Sequence, residues 1–529
     1  MPRYKEANYA QGQFIPIQFE HQILPGSLEH GLCYVVDHKI NMSAFDALRN
    51  NDAVGAPAYA PRVMLKIVLA AYARGMISSR DIAFACKQNV IFMALSARSE
   101  PHFTTIAQFV REMGPVIKGL FVDVLLYCDE LGLIGREMFA IDGCKISSNA
   151  SKEWSGTRED FEKKKAKYSK LVETLVAKHK EVDQGKQALP AEMREKEVKA
   201  IKALEEKIAT LDQWLKTQED KIGHTGLPKK SHLYDNESAK MVSSHGVVQG
   251  YNGVAAVDGE CQVVVSAEAF GEGSEVKLLE PMVESVEKTF TALGDTQSPL
   301  SAAPLLADSG FHSEANMKML EGKEINGYVA DRNMRKRDPV YATAKKHGEK
   351  IPGIQGTAPP DRRFFAPDDF KFNEQGKLVC PAGSELYIGY RKHVTPNGFY
   401  GVAYKAKITA CRACTLRAKC LQNPNTKYRQ VYKFEGRHRP PAVENATTGM
   451  IQKIDSALGR FIYSQRMGLI EPVFGNIRHA LGLDRFTLRG KEKVNIQWKL
   501  YATVHNLLKI FRYGWTTAMV PSGLRAMAG

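Results

Sequence analysis

The chain has 529 residues and a formal net charge of +15, from 73 Lys and Arg against 58 Asp and Glu. That length exceeds one simple core and predicts two or three modules, and a content of 44% hydrophobic and 25% charged residues excludes a disordered or fibrous chain. The charge excess suits a polyanionic partner, because each phosphate met by Lys or Arg releases condensed counterions, although ribosomal and membrane-surface proteins share such basicity.

Met1 to Glu20 is polar and broken by Pro2 and Pro16, so no secretion signal is expected there. The stretch to about Leu131 reads as all-helical. Met64, Ile67, Val68, Ala71 and Tyr72 recur at helical spacing after Pro61, a good first-turn residue. This run, Val63 to Ala73, is too short and interrupted to span a bilayer. Ser78-Ser79-Arg80-Asp81 predicts a cap opening a second helix, and a third is expected from Thr104 or Thr105 through Phe109, Val116, Leu120 and Val124. Arg80, Lys87, Arg98 and Arg111 would suit DNA docking, and a plain helical scaffold with solvated cations explains them equally well.

From Glu137 the texture changes. Met138-Phe139-Ala140-Ile141 predicts a buried strand ending in Asp142-Gly143. Between Arg158 and Lys221, Ile201, Leu204, Ile208, Leu211 and Leu215 form a heptad seam. Gly185 and Pro190 split that segment, which predicts an antiparallel helical hairpin with a solvated charged face. Val254-Ala-Ala-Val and Val263-Val-Val flank the turn Asp258-Gly259, and a helix carrying Val276, Leu278, Leu279, Met282 and Val286 follows. Strand (Pro304 to Asp308), helix (Glu314 to Leu320) and strand (Gly327 to Ala330) then alternate. This is the order of an α/β, RNase H-like mixed sheet flanked by helices. Residues Asp331 to about Met450 are rich in Pro, Arg and Gly with β-like pieces, and helical texture resumes through Ile454, Leu458, Phe461 and Ile462.

Three acids stand in apolar settings: Asp142, Asp308 after Leu305-Leu306-Ala307, and Glu471 in Leu469-Ile470-Glu471-Pro472-Val473-Phe474-Gly475. Burying a carboxylate without a partner is costly, so such acids suggest ligands for hard divalent cations. Singly each has a plainer reading: Asp142-Gly143 as a turn, Glu471 before Pro472 as a helix opening.

Ala307-Asp308-Ser-Gly-Phe-His-Ser-Glu-Ala-Asn resembles the second-aspartate motif of insertion-sequence DDE transposases, and Tyr463-Ser-Gln-Arg466 with Glu471-Pro-Val-Phe-Gly and Arg478 resembles the Tyr-Arg-Glu-Lys signature of their insertion-sequence-four-like superfamily. Asp235-Asn-Glu-Ser-Ala-Lys-Met, Gly250-Tyr-Asn-Gly-Val-Ala-Ala-Val-Asp258, Ser78 to Asp81 and Pro101 to Phe109 are similar to stretches of one bacterial branch, in one consistent order. The resemblance implies a triad of Asp142, Asp308 and Glu471 holding two Mg²⁺ (or Mn²⁺) ions, cleavage and strand transfer at terminal inverted repeats, and a synaptic homodimer. It also implies that Tyr463 positions terminal DNA and that Arg478, in place of lysine, contacts a phosphate with a planar fork rather than a point charge. Arg466 lies five residues before Glu471 where the signature has four, a turn of roughly 100° on a helix. That points to a bulge or to DNA contact outside the site.

Of 9 cysteines, Cys380, Cys411, Cys414 and Cys420 surround a CxxC knuckle. Four thiolates at this spacing match a structural Zn²⁺ site that could supply folding energy to a segment poor in hydrophobic patterning, with four reduced thiols as the alternative. The uneven spacing of the rest, Cys144 among them, predicts buried thiols in the cytosol, as for a nucleoid-associated bacterial protein, with no membrane partner. Arg485, Arg489, Lys491 and Lys493 are expected to meet phosphates. The expected organisation is a helical DNA-binding domain over 1–131 and a catalytic domain over 132–529, with insertions at 156–224 (the charged hairpin) and 331–450 (Cys-rich). An RNase H-like nuclease that cuts without joining, and a non-catalytic DNA-binding regulator, are the competing functions. The repeat sequence, target preference and any hairpin intermediate are not legible.

Overall fold

The computed structural model describes residues 16–48, 57–184, 190–222, 226–243, 246–341, 364–394, 399–421, 423, 425–437 and 445–514. The first half of Met1 to Glu20 and the turn at Gly185 lie outside them. The chain is mixed α/β, and two compact units divide it: residues 1–332 with 450–529, and residues 333–449.

The first unit opens with helices. We label these α1 (Leu28–His38), α2 (Pro61–Ala73), α3 (Ser79–Gln88), α4 (Val90–Leu95), α5 (Phe103–Glu112) and α6 (Ile117–Glu130). Pro61 opens α2 as expected, where its missing N–H leaves nothing unpaired. Ser78 precedes α3 without a side-chain cap bond, whereas His102 caps α5 by accepting from the Thr104 amide. The single helix expected from Thr104 through Val124 is two, α5 and α6. The break falls at Gly114-Pro115, because proline lacks the amide a continuing helix needs and crowds the residue before it.

Six strands make the central sheet: β1 (Phe139–Ser147), β2 (Gly246–Asp258), β3 (Val264–Phe270), β4 (Leu305–Ala307), β5 (Gly327–Val329) and a short strand, Ala239–Ser243, that pairs antiparallel with the start of β2. The labelled strands run in the order β5-β4-β1-β2-β3, with β4 parallel to β1 and β5, and β2 antiparallel to β1 and β3. This mixed sheet is consistent with the RNase H-like order. β1 runs on past Asp142 to Ser147, so the strand does not end at the acid. What ends there is the parallel ladder, whose last pair is Ile141 with Ala307.

Helices α7 (Arg158–Asp183) and α8 (Ala191–Thr217) lie antiparallel, since ion pairs join Lys165 to Asp212, Lys178 to Glu197 and Asp183 to Arg194. Thr157 and Asp160 form a capping box at the start of α7, and Phe161, Leu211, Trp214 and Leu233 make a small core at the base. Later come α9 (Leu279–Leu293), α10 (Glu314–Gly322), α11 (Ala457–Ser464), α12 (Arg466–Gly475) and α13 (Lys491–Lys509).

Helix α13 closes the open edge of the sheet. An edge strand carries a row of unpaired main-chain groups. Asn495 donates to Ala269 O and accepts from its N–H, Asn506 does the same for Val264, and Lys499 Nζ donates to Ala267 O at 2.6 Å. Trp498 lies against the bare Cα of Gly253 and donates to Val254 O at 2.9 Å, so a Cβ at Gly253 would come within 3.1 Å of its ring.

The second unit holds a three-stranded antiparallel sheet of β6 (Leu386–Val394), β7 (Phe399–Ala406) and β8 (Gln430–Arg437). One of its faces buries Leu386, Ala406 and Val431 with Phe370 and Leu378.

Candidate active site

The register of β1 and β4 sets two acids side by side. Ile141 pairs with Ala307, so Asp142 and Asp308 are the next residues on neighbouring parallel strands. Each carboxylate accepts from the amide that follows it, Asp142 from Gly143 at 2.8 Å and Asp308 from Ser309 at 2.6 Å. Burial pushes the Asp142 carboxyl above its usual range, Asp308 adds to the push, and Arg466 opposes it.

Arg466, whose spacing pointed to a bulge or to DNA contact outside the site, is buried beside the two aspartates. Its Nη1 donates to Asp142 Oδ2 at 2.8 Å, and Nη2 lies 3.9 Å from Asp308 Oδ1. Tyr463, at the end of α11, shares this environment: burial pushes its phenol up to about 12, with Arg466 opposing and Asp308 and Asp142 adding. Arg478 reaches the thiol of Cys144, two residues beyond Asp142 on β1. Cys144 is therefore part of the site's surroundings.

Glu471 is exposed on α12. No three His, Cys, Asp or Glu side chains among the described residues are gathered closely enough to hold a metal ion, so the three expected acids do not form one finished cage. The donor chemistry still fits a hard divalent cation. Two adjacent carboxylates supply oxygen ligands, and the guanidinium between them shows that positive charge is favoured at that point.

Helix α12 carries proline in its interior. Pro472 has no N–H for the carbonyl of Gly468, four residues back. Gln262 fills that gap, donating from Nε2 to Gly468 O at 2.9 Å. Gln262 sits in the β2–β3 turn with φ of 59°, accepts from Lys509 Nζ at 3.0 Å through Oε1, and accepts from His505 Nε2 at 3.0 Å through its carbonyl.

Two residues beside the aspartates were not singled out in the sequence, although Asn252 falls in the Gly250 to Asp258 stretch. Asn252 is fully buried on β2 and donates from Nδ2 to Glu275 Oε1 at 3.2 Å, while its Oδ1 has no partner. Burial raises the Glu275 carboxyl above its usual range; the Asn252 bond opposes this, and Asp142 and Asp308 add to it. The glycines of the two aspartate motifs make room for this pair. A Cβ on Gly143 would lie 2.6 Å from Asn252 Oδ1, and one on Gly310 would lie 2.1 Å from Glu275 Oε2. Asn316, which closes the second-aspartate motif, donates to Phe311 O at 2.6 Å and to Val276 O at 2.7 Å, tying the segment beside Glu275 to the Asp308 loop. Glu275, one of two glutamates in the Gly-rich run Gly271 to Glu275, offers no periodicity to read.

The remaining basic residues lie on the surface. Arg80, Arg111, Arg485, Arg489, Lys491 and Lys493 are exposed. Arg80 stands over the Phe103 ring at 4.8 Å, Arg489 Nε donates to Asn149 O at 2.6 Å, and Lys491 Nζ lies 5.6 Å from the centre of the Phe270 ring. In the second unit, Cys380, Cys411, Cys414 and Cys420 line one cavity as free thiols. Burial raises the Cys420 thiol, Arg429 opposes, and the other three cysteines add to the rise. The four thiols share this cavity without being gathered closely enough to form a metal cage.

Two family models match the chain: a transposase DDE domain over residues 379–511, and a transposase domain known as DUF772 over residues 18–112. No curated protein matches it. No helix among the described residues is long and apolar enough to cross a membrane.

Proposed function

We propose that the chain is an insertion-sequence DDE transposase, as the two transposase family models matching it support, and that it cuts and joins DNA at element ends by phosphoryl transfer at Asp142, Asp308 and Glu471. The observation that carries this reading is the position of Asp142 and Asp308 side by side, one residue past the last rung of the parallel ladder, with Arg466 between them. Asp142, Asp308 and Glu471 would hold two Mg²⁺ or Mn²⁺ ions, which would supply activation of the attacking hydroxyl and stabilisation of the leaving oxygen.

The chain's own residues do the rest. Asp142 and Asp308 fix the plane of the reacting phosphate, because their carboxylates are locked by the amides of Gly143 and Ser309. Glu471 is carried by α12, whose proline-broken turn is fastened by Gln262, and would complete the set when cations bind. Tyr463 and Arg478 orient the terminal nucleotide and a backbone phosphate, the latter by a planar fork. Arg466 releases Asp142 when cations and DNA arrive, and its charge then serves a phosphate. Residues 1–131 dock DNA with Arg80 and Arg111, while Arg485, Arg489, Lys491 and Lys493 add affinity and salt dependence without base choice. The protein works as a homodimer on two ends, and Zn²⁺ on the four cysteines braces the second unit.

The test is cleavage of labelled DNA carrying the element's own ends, with Mg²⁺ or Mn²⁺, by wild type and by Asp142→Ala, Asp308→Ala and Glu471→Ala. Loss of cleavage in all three with end-binding kept supports the reading. End-binding without metal-dependent cleavage in the wild type would leave a DNA-binding regulator, and cleavage without joining would leave a nuclease.

A further inference from the structure

We propose that the outer face of the three-stranded sheet of residues 386–437 is a stacking platform for unpaired DNA. Side chains alternate between the two faces of a strand. The inner face of β6–β8 carries Leu386, Ala406 and Val431 into the small core. The register assigns the other face: Tyr387 lies opposite Lys405, Tyr390 opposite Ala403 and Tyr432, and His393 opposite Gly401 and Phe434. The middle strand therefore presents small residues where both flanking strands present rings.

Those rings lean over the gap and meet. His393 and Tyr432 have centroids 4.4 Å apart, and Tyr432 and Phe434 stack with planes 8° apart. A side chain at Gly401 would break this surface, since its Cβ would lie 2.1 Å from Lys433 O. Tyr387, Tyr390 and Phe434 remain 51%, 57% and 50% exposed, so the platform faces solvent. Contiguous exposed rings on a face the core does not need mark an interaction site.

Charge selects the occupant. Lys405 Nζ sits 4.4 Å from the centre of the Tyr390 ring, and Arg391 and Lys392 are exposed on the same strand as Tyr390. The three strands hold one acid, Glu435. Rings interleaved with cations favour a polyanion that offers flat π-faces, which an unpaired strand does and a duplex, its bases stacked on one another, does not. Two copies of this face would repel. An unpaired strand is what a cut element end presents, so the inference rests on the transposase reading.

The experiment is fluorescence anisotropy on the full chain, without metal, using labelled oligothymidylate and a duplex of equal length. Tyr390→Ala and Phe434→Ala should each weaken single-strand binding by roughly five- to 150-fold, leave duplex binding unchanged, and keep the circular dichroism and unfolding midpoint of wild type. Lys405→Ala should instead lower the slope of log affinity against log salt by about 0.7. Equal losses on both DNAs, no loss on either, or a changed oligomeric state with DNA binding intact would overturn the platform. A chain that binds the single strand here yet never cuts its element ends would sink the transposase reading alone.

Discussion

Arg466 ties Asp142 to Asp308, with Nη1 2.8 Å from one carboxylate and Nη2 3.9 Å from the other. A guanidinium in this position competes with any cation that needs the same oxygens. Arg466→Ala should therefore lower the unfolding midpoint in cation-free buffer, since stripping one partner from a buried pair costs about 3–5 kcal/mol. The upward shift in midpoint on adding Mn²⁺ should be larger than in wild type. Equal shifts would show that arginine and cation do not compete.

Gly310 and Glu275 make a second, independent case. Gly310→Ala places a methyl 2.1 Å from Glu275 Oε2 and should lower both the unfolding midpoint and the cleavage rate. Adding Glu275→Ala removes the clash and should restore most of the midpoint. A double variant no more stable than Gly310→Ala would mean that the carboxylate is not what the glycine accommodates.

Pro472 and Gln262 form a closed cycle. Gln262→Ala leaves Gly468 O without its protein donor and should cost about 0.5–1.5 kcal/mol. Pro472→Ala restores the helix's own N–H to that carbonyl, so the loss from Gln262→Ala should shrink in that background. Additive losses in urea unfolding would exclude this compensation.

His505 gives the acid side of the stability profile. It is buried, accepts from Asn476 Nδ2 at 2.9 Å and donates to Gln262 O, and burial pushes it from 6.5 down to about 4 although the Gln262 bond resists. The folded chain keeps the ring neutral while the unfolded chain takes a proton below pH 6.5. Stability should thus be whole above that pH and fall as pH drops towards 4, by up to roughly 3 kcal/mol. His505→Gln should flatten the fall; an unchanged slope would assign it to other groups.

Much of the sheet was legible because apolar runs of the right length stop at turns or acids. Leu305 to Ala307 and Phe139 to Ile141 announce buried parallel strands, and the acids behind them stand out by contrast. Helical texture around Tyr463, Arg466 and Glu471 was legible, but the spacing left Arg466 between a bulge and an outside DNA contact, because its partner is set by a strand 324 positions earlier in the chain. Asn252 and Glu275 were illegible for a related reason. Which polar side chain meets which depends on register between β1 and β2, and a Gly-rich loop has no period. The aromatic face of β6–β8 stayed hidden because bulges between Ile388 and Tyr390, and between Tyr390 and His393, break the alternation a reader would count.

The edge of the sheet is completed by residues that lie 226 to 242 positions after the strand they cover. Until Lys491 to Lys509 is made and docked, Val264, Ala267 and Ala269 present bare main-chain donors and acceptors that any extended peptide can pair with. Synthesis from the N-terminus thus leaves the catalytic sheet adhesive until late. A chain that stopped short of Lys491 would keep that edge bare and be prone to clump with its own kind.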